Sequence, residues 1–232
     1  MFKDRLRSLL SNDQSPAPPP RSAVAPSANR IVEKALSDAG HRRQSPGLEQ
    51  FVSTIKDQEG LSILDMSSAN QANISFITGM HHRPFADDIV HALDSAFGDG
   101  DSLANQSDPA KINEFMGQAL DFDENTFGGA LVWDSLQFLA PPLLQETVDQ
   151  LYRVLTPGAS LLAFFNADEK QASLPAYSYR IMDGKTLMLT PKAARRRAQF
   201  FNNRAIEKLF ANFRTVKFFL TRDHLREVIV TR

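Results

Sequence analysis

The chain has 232 residues, enough to bury one core and too few for two ordinary domains with a linker between them. With 42% hydrophobic and 23% charged residues it reads as a folded, water-facing protein, and the absence of cysteine excludes a disulfide framework, a thiol nucleophile and every iron–sulfur or zinc site that needs sulfur. The net charge of −1 hides a segregation: residues 1–47 carry 8 Lys/Arg against 4 Asp/Glu, residues 48–175 carry 5 against 19, and residues 176–232 carry 13 against 4. So acidic a middle repels a phosphate backbone, which argues against nucleic acid as a partner. No apolar run approaches the roughly 20 residues that span a bilayer, and a cytoplasmic setting is expected.

Taken in chain order, Phe2, Leu6, Leu9 and Leu10 share one helical face with Lys3, Arg5 and Arg7 elsewhere. Residues 1–10 are therefore expected either to form a short amphipathic helix that docks on a surface or to fray, being too short to hold a helix alone. Residues 11–29, rich in Pro, Ser and Ala with no apolar period, are expected to be a disordered linker. Residues 30–232 are expected to form a single domain, opening with a short helix from Arg30 to Ala39 closed by Gly40.

The dense pattern begins at Gly47. Leu48, Phe51, Val52 and Ile55 predict an amphipathic helix, and Leu61–Met66 a buried strand that stops at small polar residues. A helix is expected from Asn70 to Thr78, then a second strand over Arg83–Asp88 that ends in carboxylates, then a helix carrying Ile89, Val90, Leu93 and Phe97. Asp108-Pro109 predicts an N-cap with proline in the first turn. A third strand is expected over Gly129–Asp134, a helix after Pro141-Pro142, and a fourth strand over Ala159–Phe165. Strand alternating with helix predicts a mostly parallel sheet with helices on both faces. Asp183-Gly184 marks a hairpin, and two final strands, Thr215–Thr221 and Arg226–Thr231, are joined too closely to run parallel.

This layout, an alternating α/β sheet closed by a C-terminal antiparallel hairpin, resembles that of the class I S-adenosylmethionine-dependent methyltransferases, and three motifs carry the resemblance. Ile63-Leu-Asp-Met-Ser-Ser-Ala-Asn-Gln71 stands where that family has a strand followed by a glycine loop. Phe122-Asp-Glu-Asn-Thr-Phe-Gly-Gly-Ala-Leu-Val-Trp-Asp134 resembles its Pro/Phe loop and the next strand. Leu151-Tyr-Arg-Val-Leu-Thr-Pro-Gly-Ala-Ser-Leu-Leu162 resembles the leader to its fifth strand and is the most specific of the three. The resemblance implies a Rossmann-like sheet of six or seven strands. It further implies S-adenosylmethionine as cofactor and a small-molecule methyl acceptor, with a catalytically inactive binding or scaffolding module as the alternative. A nicotinamide oxidoreductase would need a Gly-x-Gly-x-x-Gly loop that this chain lacks.

Carried over residue by residue, the resemblance implies that Ser67, Ser68 and Ala69 border the cofactor, with Ser67, Ala69 and Gln71 standing where the three glycines would be. Against the family's Gly-Pro-x-x-Gly-x-Asn variant, Asn73 faces the site. Asp65 orients the loop, Asp87 or Asp88 accepts the ribose diol, and Asp121 and Phe122 stand nearest to the place of the adenine-binding acid. The segment between Gly98 and Asp108 has no apolar run for the family's third strand. Trp133 would wall the site and Asp134 would orient or deprotonate the substrate; their structural alternatives are core packing and a helix cap. On the basic segment Lys192, Arg195, Arg196 and Arg197, with Tyr177, Tyr179 and Arg180, an anionic substrate group finds candidate anchors, foremost Tyr179, Arg180 and Arg196. His81, His82 and His91 lie near Asp87 and Asp88, but span a loop, a strand and a helix, so they are read as surface histidines and no metal is expected.

Overall fold

The computed structural model describes residues 40–98, 102–221 and 224–232. The N-terminal helix, the linker and the helix expected over Arg30–Ala39 lie outside the described residues. Strand β1 (His41–Gln44) leads to helix α1 (Pro46–Ile55), where Ser45 accepts a hydrogen bond from Leu48 N as N-cap and the apolar stripe Leu48, Phe51, Ile55 is buried. Strand β2 (Ser62–Asp65) runs through Asn70, the N-cap of α2 (Gln71–Gly79), into β3 (Arg83–Ala86). Asp88 caps α3 (Ile89–Phe97), and the described part of the segment before β4 holds α4 (Ser102–Asn105) and α5 (Pro109–Met116), capped by Asp108, with no strand. The family's third strand is thus absent from the described residues.

Strand β4 (Phe127–Trp133) ends in a 3₁₀ turn, Ser135–Phe138. Helix α6 (Pro141–Val154) follows, then the long β5 (Leu155–Asn166), β6 (Ser173–Asp183), β7 (Thr186–Arg196), α7 (Asn203–Leu209), β8 (Thr215–Phe219) and β9 (Leu225–Thr231). The main sheet has six strands in the order β3-β2-β4-β5-β9-β8. Strands β3, β2, β4 and β5 pair in parallel, while β9 runs antiparallel to both neighbours. Of the closing hairpin it is β9 that inserts against β5, leaving β8 at the edge.

One face of this sheet carries α3, α5, α6 and α7, packed through residues such as Leu93, Phe115, Leu144, Leu151 and Phe210. The other face carries α1 and α2, as expected, and also a layer that was not: a three-stranded antiparallel sheet, β1-β7-β6. Its inner residues Tyr179, Ile181, Leu187 and Leu189 meet Trp133, Leu162 and Phe164 of the main sheet. The hairpin between β6 and β7 turns through Gly184-Lys185, one residue beyond the predicted pair, with Asp183 opposite Thr186 and its carboxylate accepting from Lys185 N at 2.9 Å. Strand β1 escaped prediction because four residues, His41–Gln44, carry too short a pattern to read; their partners lie 142 to 148 positions away, with His41 opposite Leu189 at one end and Gln44 opposite Thr186 at the other.

Candidate functional site

The carboxyl edge of the main sheet gathers most of the predicted residues. Asp65, at the end of β2 and 4% exposed, is saturated with donors: Ser67 Oγ at 2.7 Å, Ser67 N at 3.2 Å, Trp133 Nε1 at 2.7 Å and Asn73 Nδ2 at 2.7 Å. Burial raises its pKa and these four bonds oppose the rise. Asn73 does more than face the site. Its amide also donates to the Tyr179 carbonyl at 3.1 Å and its oxygen accepts from Ile181 N at 2.8 Å, which fastens β6 to the loop after β2.

The loop itself carries no left-handed residue at Ser67, Ala69 or Gln71, so none of the three needs glycine's freedom. Ser68 donates to Asp88 and accepts from Lys192 Nζ at 3.1 Å. Ala69 turns the other way, onto a separate 210 Å³ cavity beside α2 and Pro84. Gln71 opens α2 on its exposed side and bonds Ser75 Oγ at 3.0 Å, so it does not crowd the crevice. Accordingly Gln71→Gly is expected to leave ligand affinity within about twofold while lowering stability by up to about 1 kcal/mol, glycine being a poor helix residue; calorimetry and denaturant unfolding check the two halves.

The two acids after β3 part company. Asp87 accepts from Leu120 N at 2.8 Å, and burial raises its pKa. Asp88 caps α3 by accepting from His91 N at 3.1 Å and points its other oxygen at Ser68, into the crevice. Asp121 is exposed, and Phe122 packs edge-on against Phe85 and Phe127, so neither reaches the loop of β2.

Trp133 ends β4 in a left-handed conformation, φ 56°, and is 1% exposed. Its ring stacks on Tyr179 of β6 at 4.8 Å between centroids and 4° between planes, with Phe164 edge-on behind. Trp133 is therefore both core and wall. Asp134 caps nothing: the 3₁₀ turn it precedes receives no side-chain bond. Its carboxyl is sealed beneath β6, where burial raises its pKa to about 7 against the opposing pull of Tyr179, Tyr177 and Arg195. Neither Asp134 Oδ2 nor the Tyr179 hydroxyl beside it has a hydrogen-bond partner of normal geometry among the described residues. Burial and the adjacent acid push the Tyr179 hydroxyl well above its ordinary value.

The basic segment is dispersed. Lys192 and Arg195 reach the mouth of the crevice, Arg195 clasping Asp94 of α3 through both nitrogens. Arg196 lines a separate 310 Å³ groove with Leu103 and Phe138. Arg197 donates to the carbonyls of Asp168 and Glu169 and lies over Phe200, while Phe201 is core. Arg180 is exposed on the face of β6 opposite Tyr179. Asp94 carried no signal in the sequence, its partner lying 101 residues away. His82 corrects the surface reading: it is buried under the end of α1, with Nε2 at 3.2 Å from the Ile55 carbonyl, and burial lowers its pKa. Among the described residues no three His, Asp or Glu side chains are grouped to hold a metal ion.

Strand order β3-β2-β4-β5-β9-β8, with β9 alone reversed, decides the architecture. It is a Rossmann-like sheet closed by an antiparallel hairpin, the layout that the sequence resemblance implies. No protein-family profile matches the chain, and no curated protein does. Among solved structures, a methyltransferase from Methanosarcina mazei is 16% identical over 81% of this chain and 97% of its own, with a TM-score of 0.44. The 1,6-didemethyltoxoflavin-N1-methyltransferase of Burkholderia thailandensis, solved with that compound and S-adenosylhomocysteine, is 11% identical over 94% and 93%, TM-score 0.45. The PH0226 protein of Pyrococcus horikoshii is 14% identical over 80% and 87%, TM-score 0.47.

The motif resemblance read from the sequence implies S-adenosylmethionine at this edge. The donor set suits it, with a carboxylate, loop hydroxyls and a buried acid on one rim. The space does not: between Ser67, Ser68, Asp88, Trp133, Asp134 and Tyr179 only about 30 Å³ is open, room for a water molecule, where ligand sites occupy roughly 300–1,000 Å³. Outside the stack, a groove of 300 Å³ lies between α3 and β7.

Proposed function

We propose that this chain takes S-adenosylmethionine at the carboxyl edge of its main sheet and passes the methyl group to a small molecule. The observation that carries the reading is the convergence of Ser67, Ser68, Asp88 and Asp134 on one rim, with Asp65 holding Ser67 and Trp133 behind it, on a sheet with this strand order, where open α/β sheets bind their ligands. The cofactor, once bound, brings an activated methyl group of its own. Asp88 offers the carboxylate for the ribose hydroxyls, since Asp87 is turned to Leu120 N. Asp134 holds or takes the proton of the acceptor. Lys192 and Arg195 at the mouth favour an acceptor with an anionic group.

A methyltransferase-fold module without turnover is the second reading, favoured by the 30 Å³ crevice. Titration calorimetry with S-adenosylmethionine and S-adenosylhomocysteine tests the two. On the enzyme reading both bind below millimolar concentration; Asp88→Asn weakens binding by about 1–3 kcal/mol through loss of a charged acceptor, and Asp87→Asn changes it by less than about twofold. No binding at millimolar concentration leaves the inactive module.

A further inference from the structure

We propose that the Trp133–Tyr179 stack is a gate across the cofactor crevice and that the proton on Asp134 is its latch. The inference rests on the cofactor reading and adds its regulation. Four observations place the device. The rings lie flat on one another in the middle of the crevice, 4.8 Å apart, and leave a water-sized hole. Trp133 occupies a strained left-handed backbone at the strand end, the kind of conformation that persists only where its surroundings hold it and that clusters at switches. Tyr179 belongs to β6, whose polar ties to the loop after β2 come from Asn73 and Asn70 at the gate itself. At the stack, Asp134 Oδ2 and the Tyr179 hydroxyl are both sealed from water without a hydrogen-bond partner of normal geometry among the described residues.

A carboxyl in that place is tolerable when neutral and unfavourable when ionised, because the pull of Tyr179, Tyr177 and Arg195 offsets only part of the cost of burying its charge. The shut crevice therefore holds its proton more tightly than an open, wetted one. Burial pushes Asp134 to about 7 when shut, against the ordinary 3.8 when solvated. As pH climbs between those two values the shut form loses ground, at most tenfold per pH unit, and above about 7 the balance no longer changes. Apparent ligand affinity follows the open fraction.

Other charged and titratable groups face this acid, and each element contributes: Tyr177 and Tyr179 from β6, Lys192 and Arg195 from β7, Asp88 from the cap of α3, and His91 at the groove outside. Arg195 pulls the Asp134 value down without returning it to the ordinary range. His91 lines the groove outside the crevice, so it needs its own variant.

Trp133 is the chain's one tryptophan, and its emission reports the gate directly. The full-length protein is titrated from pH 5 to 8.5 while Trp133 emission is followed, and S-adenosylhomocysteine affinity is measured by calorimetry at each pH. Affinity is expected to rise several-fold per pH unit up to about 7 and then level, with a red shift of emission over the same range. Asp134→Asn, neutral at every pH, should bind weakly throughout with a flat profile. Tyr179→Ala should bind tightly and without pH dependence, and Tyr179→Phe, which keeps the stack and removes the hydroxyl, should keep the latch. His91→Gln should follow the unmodified protein. A flat affinity profile in the unmodified protein, an Asp134→Asn profile that tracks it, or a His91→Gln profile that loses its slope overturns the latch. If neither the unmodified protein nor folded Tyr179→Ala binds S-adenosylhomocysteine at any pH, the cofactor reading falls, and emission that still shifts with pH only in the presence of Asp134 supports the gate on its own.

Discussion

Glu227→Ala is expected to lower the unfolding free energy by about 3–5 kcal/mol and the thermal midpoint by about 10 °C or more. Glu227 sits in the middle of β9 with no exposure at all, and its carboxylate gathers three donors from the segment that enters α1: Arg43 Nη2 at 2.5 Å, Ser45 Oγ at 2.9 Å and Gly47 N at 2.6 Å. Arg43 is itself buried and lies over the Phe164 ring. Deleting the acid therefore strands a guanidinium charge and a helix N-terminal amide in the core, which is worse than never having had the pair. A side chain cannot be added at Gly47 to compensate: its Cβ would stand 2.7 Å from Glu227 Oε2 and 2.8 Å from Leu162 Cδ1. The double variant Arg43→Met, Glu227→Leu is expected to recover most of the loss, since it removes both charges together. Urea unfolding of the single and double variants checks this; additive losses would show that the pair does not act as a unit.

That network explains where sequence reading stops. The parallel strands, their helices, the cap at Asp108 and the closing hairpin were legible because each rests on residues a few positions apart. Asp65, Ser67, Ser68, Asp88, Trp133 and Asp134 could be placed at the carboxyl edge of the sheet for the same reason, being positioned by the ends of readable strands. What stayed hidden depends on pairs remote in the chain. Glu227 reads as a polar break in an apolar strand, and nothing local says that Arg43, 184 positions away, neutralises it. Tyr179 was legible as a residue near the site, but not as a ring filling it, because its partner Trp133 lies on the other sheet. Gln71 stands at a glycine position of the motif, whereas α2 begins there and carries its side chain outward.

Asn73→Ala is expected to cost about 2–4 kcal/mol at neutral pH, and more at pH 8 than at pH 4.5. Its amide serves three groups at once, Asp65 Oδ2, the Tyr179 carbonyl and Ile181 N, and alanine leaves each short of a partner inside the protein. Asn70 Nδ2, at 3.4 Å, remains for the carbonyl, so the heavier losses are the Ile181 amide and the acid. The pH dependence follows from the acid. Burial already holds the Asp65 pKa above 3.8, so the folded form binds that proton more tightly than the unfolded form, and stability falls as pH rises from 3.8 to the folded value. The Asn73 bond opposes that rise by favouring the charged form. Its removal lifts the folded value further, which widens the window and adds loss only at the higher pH. Below 3.8 Asp65 takes up its proton in both states and the missing donor matters less, and at pH 4.5 only part of the added loss has developed. Urea midpoints of the variant and the unmodified protein at pH 4.5 and 8 give the comparison, and a difference that is equal at both, or larger at pH 4.5, would show that Asn73 holds β6 in place without easing the charge on Asp65.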